Sequence, residues 1–316
     1  MSEEKIATRD AYGKALAELG GVDPRVVVLD ADLAKSTKTA DFASRFPDRF
    51  FDMGIAEANL MATAAGLAAA GKVPFASTFA IFASCRALDQ VRNSICYPAL
   101  SVKIAATHAG LTVGEDGASH QAIEDLAIMR AIPNLRVVVP ADAVETREVI
   151  RVAALTPGPF YIRLGRPAVP VLLGPDYRFE LGRAPVLHDG RDVAIFASGV
   201  MVAEALEAAR ALEAEGIGAA VLNVSCLKPI DAEAIVSFAR RCGAAVTAEE
   251  HSVIGGLGGA VAEVLAEHQP TPLVRVGVRD TFGESGTPAE LLKKYGLTAG
   301  DVAAAAREAI RRKGLS

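Results

Sequence analysis

Short apolar runs rich in Val and Ile alternate along the chain with longer, Ala-rich stretches. In the first half, the runs predict strands at residues 26–29, 50–53, 102–106, 136–139 and 160–164. The Ala-rich stretches between them predict helices at residues 57–70, 83–95 and 143–154. Near-continuous apolar strands separated by helices are typical of a parallel sheet covered on both faces. The pattern therefore predicts an α/β domain with a largely parallel sheet.

This alternation stops after residue 168, where Pro, Gly, Asp and Arg replace it, and resumes near residue 193. We expect a first domain at residues 1–170, a linker at 171–191 and a second α/β domain at 192–316. In the second domain, strands are predicted at residues 193–196, 219–224, 244–248 and 274–278. Helices are predicted there at residues 202–214, 231–241, 258–267 and 298–312.

Composition limits the class of function. The 316 residues carry 33 basic and 38 acidic side chains, a formal net charge of −5. This balance argues against a nucleic-acid-binding surface, and no apolar run is long enough to span a bilayer. The opening MSEEKIATRD does not resemble a secretory signal, so we expect the cytoplasm. The four cysteines (Cys85, Cys96, Cys226 and Cys242) lack metal-site spacing, which predicts reduced thiols and no metal site in this chain.

Two segments carry candidate chemistry. Glu57 follows an apolar strand by a few residues and begins an Ala-rich helix, where a carboxylate faces the positive end of the helix dipole. Taken alone, it also fits an ordinary first-turn acid. The stretch THAGLTVGEDGASHQ at residues 107–121 puts His108, Asp116 and His120 on a Gly-rich loop after a buried strand. Such loops bind ligands in parallel sheets. A zinc site is the weaker interpretation, because HxxxH spacing and a Cys partner are missing.

Together, these motifs show a family resemblance. DMGIAEAN at 52–59, ASTFAIF at 76–82 and the stretch from THAGL to PAD at 107–142 resemble the pyrimidine-binding domain of thiamine-diphosphate-dependent transketolases. They are also similar to 1-deoxyxylulose-5-phosphate synthases. VLNVSCLKPID at 221–231 and AAVTAEEHSVIGGLGG at 244–259 resemble the C-terminal domain of transketolases. The resemblance covers nearly the whole chain, in the family's order, and implies two α/β domains of those types.

For the cofactor, the resemblance implies contacts from Glu57, Phe79, Phe82, Asp32 and Leu33. The carboxylate of Glu57 is expected to hydrogen-bond the ring nitrogen of the aminopyrimidine and activate it. A carboxyl that shares a proton in this way should have a raised pKa. The two phenylalanines are expected to pack against the ring. A further aromatic residue is common three positions later, where this chain has Cys85, so part of the platform is altered.

For a sugar phosphate substrate, the resemblance implies contacts from Arg9, Ser36, His108, Asp116, His120 and Arg166. Arginines suit phosphate because the guanidinium donates two parallel hydrogen bonds. Arg163 is the weaker of the two neighbouring arginines. Asp116 and His120 are expected to orient the donor hydroxyls and to assist proton transfers, so that with Glu57 they form the catalytic set.

A family motif is missing. Thiamine-diphosphate enzymes usually hold Mg²⁺ and the diphosphate with Gly-Asp-Gly and a downstream Asn, and this chain contains no Gly-Asp-Gly. The chain is therefore expected to be the C-terminal subunit of a split transketolase. A separate N-terminal subunit would hold Mg²⁺ and the diphosphate, most simply in an α2β2 heterotetramer. The cluster of Glu249, Glu250 and His251 before GGLGG resembles a site, but a scaffold and oligomer-packing role is favoured for this domain.

Other readings stay open at this point. The β-subunit of a 2-oxoacid dehydrogenase shares the fold and the glutamate, although the 107–121 loop has the sugar-handling pattern. A 1-deoxyxylulose-5-phosphate synthase-like enzyme and a non-catalytic regulatory relative are further alternatives. A nicotinamide dehydrogenase is disfavoured because GGLGG is not GxGxxG after a strand. A ketol transfer of the kind used in the pentose phosphate pathway is expected, but the sequence does not select the donor and acceptor sugars.

Overall fold

The computed structural model describes residues 4–314. Its larger sheet has seven strands, which are parallel except for the edge strand β12. In spatial order they are β12 (Cys226–Lys228), β6 (Arg136–Val138), β7 (Phe160–Arg163), β5 (Lys103–Thr107), β4 (Val73–Phe79), β2 (Val26–Asp30) and β3 (Phe50–Asp52). A short antiparallel pair, β1 (Lys5–Ala7) with β8 (Ala168–Pro170), joins the two ends of the first domain.

Helices cover this sheet. They are α1 (Thr8–Val22), α2 (Ala34–Thr37), α3 (Ala40–Arg45), α4 (Glu57–Ala69), α5 (Asp125–Ala131) and α6 (Ala143–Leu155). The helix predicted at 83–95 is two π-helical segments, Phe82–Arg86 and Gln90–Cys96. Wide π turns inside helices are frequent at functional sites.

The second sheet has five strands, of which only β9 is antiparallel to its neighbour. In spatial order they are β14 (Leu273–Val278), β13 (Ala245–Ser252), β10 (Val193–Ala197), β11 (Ala219–Asn223) and β9 (Val186–His188). The helices are α7 (Met201–Glu213), α8 (Ala232–Cys242), α9 (Leu257–His268), α10 (Pro288–Lys294) and α11 (Ala299–Lys313). The predicted fold class, two α/β domains with largely parallel sheets, is confirmed.

The central strands are fully buried, and their parallel direction places several loops at one edge of the sheet. All seven residues of β4 and all five of β2 and β5 are buried, as expected for a sheet covered on both faces. Each fully buried large side chain, such as Phe75 or Leu29, contributes about 1.5–3 kcal/mol of hydrophobic stabilisation. Because the strands are parallel, the loops after β2, β4, β5 and β7 emerge at one edge of the sheet.

The two halves are joined through the sheet and through buried charges. Strand β12 comes from the second half of the chain but pairs with β6 of the first sheet. Arg163 on β7 forms a buried ion pair with Asp125, at 2.9 Å between Nε and Oδ2, and Nη2 also donates to the backbone carbonyl of Glu250 at 3.1 Å. None of the helices in residues 4–314 combines the length and apolar character needed for a bilayer span.

Candidate active site

Glu57 is the first residue of α4, and its side chain is only 7% exposed. The carboxylate therefore lies at the positive end of the helix, as the sequence predicts. Oε1 accepts a hydrogen bond from Nη1 of Arg86 at 3.0 Å. The Arg86 guanidinium also lies over the Phe82 ring, 4.0 Å from its centroid. The structure thus gives Glu57 a basic partner that the sequence did not indicate.

An aromatic wall stands beside this carboxylate. Phe79 ends β4 and Phe82 begins the π-helical turn that follows, so the backbone brings their rings together at 5.7 Å between centroids and 15° between planes. The His108 ring stacks on Phe79 at 3.8 Å, and the His120 ring meets Phe82 edge-on at 5.5 Å. Flat apolar faces next to a buried carboxylate suit a planar heterocycle that carries a hydrogen-bonding nitrogen.

His108 is held in one tautomer. Its backbone is left-handed, with φ of 57°. Nε2 lies 3.1 Å from Nη1 of Arg9, and Nδ1 lies 2.9 Å from Oγ1 of Thr107. Since arginine only donates, Nε2 is the acceptor and Nδ1 carries the proton. Burial, together with the nearby charges of Arg9 and Arg166, lowers the pKa of His108 to about 3, so the ring is neutral at physiological pH.

Two arginines give this end of the site its positive charge. Nη1 of Arg9, at the start of α1, donates to the backbone carbonyl of Ser36 at 3.1 Å, while its buried Nε has no protein partner in the described structure. Burial and the charge of Arg166 both lower the pKa of Arg9. Arg166, after β7, donates to the carbonyl of Val113 and forms an ion pair with Glu115 at 3.0 Å. Two guanidinium groups so close together favour an anionic ligand.

The loop between β5 and α5 carries the other predicted substrate residues. Asp116 ends a 3₁₀ turn (Leu111–Asp116) and is exposed. His120 is half-buried, and its Nδ1 lies 3.0 Å from Oγ of Ser119. His108 and His120 thus both contact the phenylalanine pair, whereas Asp116 is exposed to solvent at the rim of the site.

The predicted cofactor contacts near β2 are held by a buried acid. The backbone of Asp32 is left-handed, with φ of 62°, and its side chain is exposed. The Leu33 amide donates to Oδ1 of Asp30 at 2.6 Å, and the hydroxyls of Thr37 and Thr39 donate to Oδ2. Burial raises the pKa of Asp30. Asp30 fixes the turn that presents Asp32 and Leu33, but its position at the end of an apolar strand gave no sign of this.

The structure therefore brings Glu57, Phe79, Phe82, His108 and His120 together, with Arg9 hydrogen-bonded to His108. Sequence reasoning missed two partners of these residues, Arg86 and Thr107. Arg86 is 29 residues from Glu57, and no local spacing relates the two. Thr107 could have been suspected because it directly precedes His108.

Comparison with known proteins agrees with this arrangement. The model of the transketolase pyrimidine-binding domain matches residues 4–171, and that of the transketolase C-terminal domain matches residues 182–302. The chain belongs to the transketolase family. It is 49% identical over 308 residues to a putative transketolase C-terminal section from Methanocaldococcus jannaschii, covering 96% of each chain. It is 48% identical over 306 residues to a 6-deoxy-6-sulfo-D-fructose transketolase subunit from a Clostridium species, covering 96% of this chain and 95% of the relative.

One solved structure is still more similar. A split gene transketolase, described as an inactive beta4 tetramer, is 65% identical, with a TM-score of 0.92 and coverage of 98% of this chain and 99% of the other. The interpretation as the C-terminal part of a split, thiamine-diphosphate-dependent transketolase is therefore confirmed. The dehydrogenase, synthase and non-catalytic alternatives are not favoured.

The residues present fit one half of thiamine diphosphate. A buried carboxylate beside stacked phenylalanines matches the shape and hydrogen-bonding needs of the aminopyrimidine. By contrast, residues 4–314 contain no group of three or more His, Cys, Asp or Glu side chains placed to hold a metal ion. Mg²⁺ takes an octahedral shell of oxygen ligands. The described part of the chain therefore fits the pyrimidine half of the cofactor but offers no cluster for Mg²⁺.

Proposed function

We propose that this chain is the β-subunit of a split transketolase, active only when an N-terminal subunit binds Mg²⁺ and the diphosphate of the cofactor. The observation that carries this proposal is the buried Glu57 carboxylate at the N-terminus of α4, beside the Phe79–Phe82 pair. When bound, thiamine diphosphate supplies the carbon nucleophile that carries the two-carbon ketol unit. An α2β2 heterotetramer in the cytoplasm, acting in carbohydrate metabolism of the pentose phosphate type, is the simplest assembly and setting.

In this proposal Glu57 hydrogen-bonds the ring nitrogen of the aminopyrimidine through the carboxylate oxygen that Arg86 leaves free. The helix dipole and Arg86 hold the carboxylate in place before the cofactor arrives, so little reorganisation is required on binding. Phe79 and Phe82 pack against the ring and exclude water from the hydrogen bond. Asp32 and Leu33 contact the cofactor from the turn that Asp30 fixes.

On the substrate side, Arg9 and Arg166 bind the phosphate of a sugar phosphate, and Ser36 lies at the same end of the site. Neutral His108 accepts from Arg9 through Nε2, so it orients the guanidinium, and this nitrogen accepts from a sugar hydroxyl only in place of the Arg9 contact. His120, at the aromatic wall, holds or moves a proton at the donor hydroxyls. Asp116, on the exposed rim, orients those hydroxyls when the substrate covers it.

Reconstitution tests this function. The chain and a separately purified diphosphate-binding subunit are assayed alone and mixed, with fructose 6-phosphate as donor and ribose 5-phosphate as acceptor. Ketol transfer should appear only in the mixture, and only with thiamine diphosphate and Mg²⁺. Transfer at full rate by this chain without the second subunit would contradict the proposal. Sedimentation of the active mixture then measures the stoichiometry.

A further inference from the structure

A buried carboxylate of the second domain lies directly beneath the loop that carries the substrate residues. Glu250, on β13, is only 4% exposed, and its Oε1 accepts from the backbone amide of Thr112 at 2.5 Å. Gly110 lies against the same carboxylate, since a Cβ there would come within 2.4 Å of Cδ of Glu250. Gly110 also has a φ of +80°, so both space and backbone conformation require glycine. The beginning of the loop therefore rests on a side chain 138 residues away.

The other end of the loop is tied to the second domain as well. Nε2 of Gln121 donates to the carbonyl of Glu284 at 2.9 Å, and also to the carbonyls of Leu111 and Gly114 within the loop. Gly283 packs so closely that a Cβ would lie 1.9 Å from Oε1 of Gln121. Residues 110–121, which include Asp116 and His120 and begin two positions after His108, are thus supported from both ends by the second domain.

Glu250 meets charged groups of the first domain across the domain boundary. Its backbone carbonyl accepts from Arg163, whose guanidinium also binds Asp125 and the carbonyl of Ala122. Tyr161 donates to Asp125 from the same strand as Arg163. Burial raises the pKa of Glu250 to about 7, with Arg163 opposing the rise and Asp125 adding to it. The carboxyl group can therefore change its charge close to neutral pH while it remains buried.

We propose that Glu250 is a positioning residue that holds the substrate loop 108–121 in its binding-competent conformation through the Thr112 amide. The proposal rests on the proposed function for its kinetic consequence but not for its structural one. An ionised acceptor makes a stronger hydrogen bond than a neutral one. The Thr112 hydrogen bond by itself lowers the pKa of Glu250. Breaking this bond while the carboxyl stays buried therefore costs more above neutral pH, where Glu250 is ionised, than below it. Global unfolding, which exposes the carboxyl to water, is instead favoured by rising pH.

Adjacent Glu249 provides a matched control. It is on the same strand, is equally buried, and also has a pKa raised by burial. Its carboxylate, however, accepts from the amides of Leu257 and Gly258 at 2.6 and 2.7 Å, at the start of α9 within its own domain. Glu249→Gln should therefore affect α9 and leave the substrate loop unchanged.

Hydrogen exchange of this chain alone measures the structural effect. At pH 8, the Thr112 amide should exchange about fivefold faster in Glu250→Gln than in wild type, the difference between a charged and a neutral acceptor. Peptides from β10 should exchange equally in both. At pH 6, where the wild-type carboxyl is protonated, the difference should largely disappear. Equal exchange at pH 8, or the same increase in Glu249→Gln, would overturn the proposal.

If the Glu250→Gln variant does not fold, wild type alone still decides the matter. After correction for intrinsic exchange, protection of the Thr112 amide should rise between pH 6 and pH 8, whereas protection of β10 should not follow it. A constant ratio of the two protections would overturn the proposal without any variant.

In the reconstituted enzyme, a loosened loop must be ordered when substrate binds, which weakens apparent affinity but not the subsequent reaction. Glu250→Gln should raise KM for fructose 6-phosphate about fivefold at pH 8, with kcat changed less than about twofold. It should also remove an acid limb near pH 7 from kcat/KM. An unchanged KM and pH profile would contradict the kinetic role. If the wild-type mixture shows no ketol transfer, the proposed function fails. The hydrogen-exchange experiment still tests the role of Glu250 in the loop, because it uses this chain alone.

Discussion

The carboxylate of Glu57 and the guanidinium of Arg86 are hydrogen-bonded at 3.0 Å, and the guanidinium carbon lies over the Phe82 ring, 4.0 Å from its centroid. A single basic side chain thus contacts both the proposed activating acid and the aromatic wall. Only one carboxylate oxygen accepts from Arg86. The contact therefore orients Glu57 without closing it to a second hydrogen-bonding partner.

Glu57→Gln tests the acid directly. The amide has the same shape but can neither give a proton to the ring nitrogen nor take one from it. We expect kcat of the reconstituted enzyme to fall by about 100- to 10,000-fold, the range for loss of an acid–base group. Assembly with the N-terminal subunit, which sedimentation measures, should be unchanged. Near-normal turnover would remove Glu57 from the mechanism.

Arg86→Ala separates orientation from chemistry. The Arg86 side chain is 54% exposed, and ion pairs with one solvent-exposed partner contribute little. We therefore expect the KM for thiamine diphosphate to rise by at most about fivefold, with kcat nearly unchanged. Arg92→Ala, an exposed arginine in the following π-helical segment, is the matched control. A loss of kcat comparable to that of Glu57→Gln would mean that Arg86 takes part in the reaction.

Glu115→Gln should improve the binding of a phosphorylated donor. In the structure Glu115 forms an ion pair with Arg166, so a substrate phosphate must compete with this carboxylate. Removing its charge should lower KM for fructose 6-phosphate by about two- to fivefold, because the exposed pair is weak. KM for fructose, which lacks the phosphate, should not change. An equal effect on both sugars would place Arg166 away from the phosphate.

Lys103→Met tests a buried cation far from the site. Lys103 is fully buried at the start of β5, and its Nζ donates to Oγ of Ser101 and to the carbonyls of Thr156 and Gly158. Burial lowers its pKa from 10.5 to about 7. Lys103 therefore binds a proton more readily in the unfolded chain than in the folded one. The free energy of unfolding is highest above pH 10.5, where Lys103 is neutral in both states, and falls as pH drops toward 7.

The stability of Lys103→Met should lack this dependence. Urea unfolding between pH 7 and pH 10 should show wild type gaining stability with rising pH relative to the variant. Lys72→Met, at an exposed lysine before β4, should follow wild type at every pH. Parallel curves for wild type and Lys103→Met would contradict a lowered pKa at Lys103.

The sequence predicted five of the seven strands of the larger sheet, but it missed the edge strand β12 and the interior strand β4. Pro74 argues against a central strand because it cannot donate a ladder hydrogen bond, and Ser77 and Thr78 interrupt the apolar run. Helix α1 was also missed, because Gly13, Gly20 and Gly21 weaken its helical pattern. For β4 and α1, tertiary packing overrides the local secondary-structure preference of the sequence.

The candidate site was predicted less evenly. Glu57, Phe79 and His108 were recognised because family motifs surround them, and the structure places them together. Whether each has its assigned role stays a prediction. The structure adds the ion pair between Glu57 and Arg86. Contacts such as Glu250 with Thr112 join residues 138 positions apart, and no local pattern contains that information.

Strand β12 has a consequence for any attempt to shorten the protein. It is an edge strand of the first sheet, although in the chain it lies beyond the linker and after β11. A fragment ending at Pro170 would leave the backbone amides and carbonyls of β6 without their neighbour, and an uncovered sheet border of this kind promotes self-association. The pyrimidine-binding region is therefore a poor candidate for expression by itself, however well a sequence alignment delimits it.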